Sequence, residues 1–139
     1  MRRWRVHPGF YFVGAAAGLM MSVVWAFLGE SPASLLHREA FEANTWRNQQ
    51  YIEHDVMWPP RLRMVDDLMS TRRLDGLTKD QVLELLGKPE DKGFPAGAAS
   101  CDIHYYLGPE RGVLRIDSEW LFITLDDSGR VDRYWIYRD

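Results

Sequence analysis

Apolar and polar positions fall along this chain in three regimes. From Phe10 to Leu28 there are 19 residues without a charge, and Ser22 is the one small polar side chain among them. Beyond residue 60, apolar positions recur first at helical spacing and then at alternate residues. In between, Leu35, Leu36, Phe41, Trp46, Tyr51, Ile52 and Val56 follow neither period cleanly. That middle stretch reads as a connector with some helix, closed by Pro59-Pro60.

The helical regime has two parts. Leu62, Val65, Leu68 and Met69 share one face of a helix, with Arg72 and Arg73 placed in its last turn and Asp75-Gly76 ending it. Asp66 and Asp67 diverge by about 100° on such a helix, so they read as a solvated face and not as a converging acid pair. The next stretch, "GLTKDQVLELLGKPE", carries every local helix signal. Thr78 and Gln81 form a capping box, and Leu77 and Val82 form the matching hydrophobic staple. Val82, Leu85 and Leu86 make the buried stripe, Gly87 is the C-terminal stop, and Pro89 prevents continuation.

After a Gly-, Pro- and Ala-rich loop over residues 91–100, the period becomes two. Ile103, Tyr105 and Leu107 share one face of a strand; Leu121, Ile123 and Leu125 share one face of a second. "DDSG" turns the chain into a third strand over Val131–Tyr137. The expected fold is α+β: an N-terminal transmembrane helix, then two helices packed on a three-stranded antiparallel meander.

The membrane helix is expected over residues 10–28. Nineteen residues of helix span about 28 Å, close to the hydrocarbon thickness of a bilayer. The exit "WAFLGESP" offers bulky residues where a signal peptidase needs small ones. The alternative is a cleaved signal that releases a soluble periplasmic protein. Arg2, Arg3 and Arg5 precede the run and Glu30 is the first charge after it. That asymmetry places residues 1–9 in the cytoplasm, residues 29–60 as a membrane-proximal connector and residues 61–139 as a domain outside a bacterial inner membrane. Gly14 and Gly18, four apart in "GAAAG", form a candidate pairing face for a homodimer through the membrane helix.

Charge narrows the partners. Without the three leading arginines, 14 basic residues stand against 20 acidic ones, about −6. Nucleic acid needs a basic face, so it is not an expected partner. Cys101 is the lone cysteine, and a directly lipidated cysteine does not follow the apolar run. Cys101 and His104 three apart on a strand face opposite ways, so no catalytic residue, metal site or cofactor is expected. Asp102 and His104 share a strand face and read as a surface ion pair.

The stronger feature is aromatic. With the aliphatic residues turned to the helices, His104, Tyr106, Trp120 and Phe122 face away, joined by Tyr134 or Trp135 according to register. His104, Tyr106, Trp120, Phe122 and Tyr134 are the candidate partner-binding residues. The alternative is that residues 35–57 fold back and cover this face with Phe41, Trp46 and Tyr51.

Residues 62–137 resemble the SmpA/OmlA family, the BamE-like domains of bacterial envelopes. Gly76-Leu77-Thr78, Val82, Leu86-Gly87 and Pro89, then Tyr105-Tyr106 and the hairpin "DDSGRV", carry the resemblance. It implies a helix–helix–three-strand domain that binds or scaffolds another envelope protein and catalyses nothing. The alternative reading is an inhibitor-like module that blocks an envelope enzyme through the loop Lys92–Ser100.

Overall fold

The computed structural model describes residues 32–48, 56–89, 95, 100–112 and 114–139. Within them, helices α1 (Pro32–Leu36), α2 (Ala43–Arg47), α3 (Pro60–Ser70) and α4 (Lys79–Leu86) precede strands β1 (Ile103–Pro109), β2 (Ser118–Leu125) and β3 (Val131–Arg138). The strands form an antiparallel meander in the order β1-β2-β3.

The expected fold is corrected in its first element. Among the described residues no helix is long and apolar enough to cross a membrane, and the longest, α3, has 11 residues. The transmembrane helix expected over residues 10–28 and the Gly14/Gly18 pairing face lie outside the described residues. The fold that stands is α+β, with four short helices and one three-stranded sheet among the described residues.

Helix α3 buries Leu62, Val65 and Leu68, as its spacing requires, and Met64 with them. It stops at Ser70, so Arg72 and Arg73 lie past its end, and Arg72 has φ of +54°. The two aspartates are half-buried and engaged by other segments. Asp67 accepts the Phe41 N–H at 2.8 Å, and Asp66 binds two arginines. Their partners come from distant segments that a helical period cannot reveal.

Helix α4 forms as its local signals dictate. Thr78 Oγ1 accepts the Gln81 N–H while Gln81 Oε1 accepts the Thr78 N–H. Gly87 ends the helix at φ +81° and ψ −168°, a region essentially reserved for glycine. A Cβ there would also come within 3.0 Å of Arg47 Cγ. Gly87→Ala is therefore expected to cost about 1–3 kcal/mol, read from the urea midpoint.

Residues 32–48 enter the same core. Trp46 is fully buried, and its ring meets Tyr105 edge-on at 6.4 Å and Phe41 at 5.6 Å. Phe41 and Trp46 thus pack on the helix side and do not cover the outer sheet face; Tyr51 lies outside the described residues. The five-residue helix α2 is too short to persist alone. Glu42 holds it by accepting the Asn44 and Thr45 N–H groups.

Those bonds, with the Thr45 hydroxyl foremost, hold the Glu42 carboxyl below its ordinary range. In the β2–β3 turn, the Ser128 hydroxyl and the Arg130 N–H do the same for Asp126. Both folded-state values are depressed, so their contribution is present above the unfolded carboxylate pKa and is lost as pH falls through the folded one. Stability should drop below about pH 4, and Asp126→Asn should flatten that drop in an acid titration of the melting temperature.

Candidate binding face

Register decides which rings share the outer face. β1 pairs His104 with Phe122 and Tyr106 with Trp120; β2 pairs Trp120 with Tyr137 and Phe122 with Trp135. Ile123 pairs with Tyr134 and Leu121 with Ile136, which puts Tyr134 on the helix side. There it packs on the core and donates its hydroxyl to Asp75 Oδ1 at 2.7 Å. Of the expected residues, the structure brings together His104, Tyr106, Trp120 and Phe122; Tyr134 is replaced by Trp135 and Tyr137.

The shift has a local cause. Strict alternation from buried Val131 would send Arg133, Trp135 and Tyr137 inward. The bulge opposite Thr124 and Leu125 inserts Asp132 as an extra residue and reverses the phase.

The rings form one connected layer. Phe122 is central, stacked on Tyr137 at 4.9 Å and edge-on to Trp135 at 5.7 Å and His104 at 6.3 Å. Trp120 meets Tyr106 at 5.1 Å and His104 at 6.0 Å. Phe122 and Trp120 are buried, while His104, Tyr106, Trp135 and Tyr137 are half-exposed around them. Burial pushes the Tyr106 phenol above its ordinary pKa, so it stays neutral and serves as a hydrogen-bonding aromatic. Arg133 lies over the Trp135 ring at 5.0 Å, setting a cation beside the exposed rim.

The polar residues nearby serve the fold. Asp102 Oδ2 accepts the Leu125 N–H at 2.8 Å, a backbone role where an ion pair with His104 is expected. Cys101 precedes β1, and burial raises its thiol pKa, which lowers its thiolate fraction. Among the described residues, no group of three or more His, Cys, Asp or Glu could hold a metal ion. Of the loop Lys92–Ser100, Pro95 and Ser100 alone are described.

Beneath the sheet lies an ionic chain that the sequence reading misses. Glu119 is fully buried, in phase with Leu121 and Ile123. Its Oε1 accepts the Arg111 N–H and its Oε2 accepts Arg111 Nε, both at 3.0 Å. Arg111 Nη1 continues to Asp66 at 2.8 Å, Arg38 to the same oxygen at 2.7 Å, and Arg138 to Glu119 at 3.2 Å. The available signal was an acid at i, i+2, i+4 with two core residues, which demands a buried cation.

Two other surface features are present. A shallow groove of about 510 Å³ is lined by Ala43, Leu77 and Leu85 together with Arg47, Arg73 and Glu84. Arg47 is committed there, donating to the Glu84 carbonyl at the end of α4 at 2.7 Å. Elsewhere Arg115 and His37 both pack on the Trp58 ring, and Leu36, Met57, Leu114 and Ile116 are exposed.

No protein-family model, curated protein or solved structure matches this chain.

Proposed function

We propose that this is a non-enzymatic protein-binding module that docks a partner on the outer aromatic face of its sheet. The observation that carries the reading is the connected ring layer, which ends in a half-exposed rim of His104, Tyr106, Trp135 and Tyr137. Large rigid rings with polar tips are the side chains that dominate binding energy at protein interfaces. Arg133 over Trp135 adds a cation at the rim. The fitting partner is a protein that presents an apolar side chain flanked by an acidic one. The SmpA/OmlA resemblance of residues 62–137 supports a scaffolding role of this kind in a bacterial envelope.

The test compares capture by the tagged full chain with capture by two variants. Trp135→Ala is expected to weaken the captured partner about 30-fold. Leu114→Ser, on the other exposed apolar region, should leave capture unchanged. Loss with Leu114→Ser and retention with Trp135→Ala would move the docking surface from the ring layer to the exposed apolar residues around Leu114.

A further inference from the structure

β1 and β3 are the two edges of the sheet, and they differ. β1 is blunted by a bulge between Tyr106 and Gly108 and by Pro109 at its end. β3 pairs regularly with β2 from Arg133 to Arg138, and Tyr134 to Ile136 interpose three large residues without a charge or proline.

Backbone direction shows what that edge offers. Asp139 N–H bonds to Ser118 O on β2. Antiparallel alternation then turns Tyr137 and Trp135 toward β2, and turns the N–H and C=O of Tyr134 and Ile136 outward. At the start of the strand, Val131 N–H is taken by Leu77 O, and Arg130 bridges to Thr78. Among the described residues, the main-chain edge beyond these contacts runs from Asp132 toward Arg138, whose guanidinium also reaches Glu119.

The sequence of that edge, "DRYWIYR", is complementary to its own reverse. Centred on Trp135, an antiparallel pair sets Asp132 against Arg138, Arg133 against Tyr137, Tyr134 against Ile136 and Trp135 against itself. The outward-facing Tyr134 and Ile136 meet as hydrogen-bonded pairs, which is the parity an antiparallel ladder needs. Each charged residue from 132 to 138 meets an opposite charge or an aromatic ring. Isologous contact repeats every pair about a two-fold axis.

We propose that a second copy of this chain adds its β3 to the β3 edge, antiparallel and centred on Trp135, making one continuous six-stranded sheet. The inference does not rest on the partner-binding reading, although Arg133, Trp135 and Tyr137 belong to both surfaces.

The test measures the mass of the full chain by light scattering across a concentration series. The wild type should run at twice its 16.2 kDa mass. Asp132→Lys, at an exposed position, turns two attractive pairs into repulsive ones and should raise the dimer Kd about tenfold. Register is read by oxidative cross-linking in a Cys101→Ser background. A mixture of Arg133→Cys and Tyr137→Cys chains should give a heterologous cross-linked dimer, and neither variant alone should. Circular dichroism checks that each variant is folded. A wild type that stays monomeric, a dimer indifferent to Asp132→Lys, or a folded 133/137 mixture that fails to cross-link would each overturn the proposal.

Discussion

Glu119→Ala is expected to destabilise the protein by about 3–5 kcal/mol, a large share of a small domain's stability. The carboxylate is fully buried and holds Arg111 through both its main chain and its guanidinium. Arg111 is itself only 2% exposed. Removing the acid leaves a buried cation that Asp66, at 2.8 Å, must balance with less help. The cost lies in that stranded charge more than in the lost bonds. Hence Glu119→Leu combined with Arg111→Met should cost far less than the sum of the two single changes. Urea denaturation of the four proteins checks this: additive losses would show that the pair is not coupled as the geometry requires.

Trp46→Ala should cost about 3–5 kcal/mol. Its ring is fully buried between Phe41 and Tyr105, and the Arg61 guanidinium lies 5.8 Å from it and 5.3 Å from Tyr105. The Trp46 carbonyl also accepts Arg61 Nε at 3.2 Å. Truncation leaves a cavity beneath a buried cation and frees α2 from the sheet. Trp46→Phe is a sharper probe. The indole N–H is buried with no hydrogen-bond partner among the described residues, so its removal forfeits no bond seen there. Trp46→Phe should therefore retain most of the stability that Trp46→Ala loses, measured by thermal melting. Equal loss in both would mean that ring size, not ring burial alone, is decisive.

What was legible in the sequence followed from range. The Thr78–Gln81 capping box and the Val82 and Leu86 stripe are fixed by residues within one helix, and they appear as read. The inward faces of β1 and β2 follow from a period of two that no bulge interrupts before Leu107 or between Ser118 and Thr124. β3 misled because Asp132 adds a residue to one strand, and one residue exchanges the faces of all that follow. Asp66, Asp67 and Trp46 misled for a different reason. Their partners lie at Arg111, Phe41 and Tyr105, too far along the chain for any local pattern to pair them. The binding face was thus readable in its four residues on β1 and β2, and was completed by a register that only the folded sheet supplies.

The most direct measurement is site-specific photo-cross-linking of the full chain in cells that express it. A photoreactive phenylalanine is placed in turn at Tyr106 and Tyr137 on the ring layer, and at Asp80 and Glu84 on α4. The account predicts that Tyr106 captures a second protein distinct from this chain and that Tyr137 captures that same protein, alongside a second copy of this chain across the β3 edge, while Asp80 and Glu84 capture none. Capture of that protein from α4 and not from the rings would contradict the assignment of the outer sheet face as the docking surface.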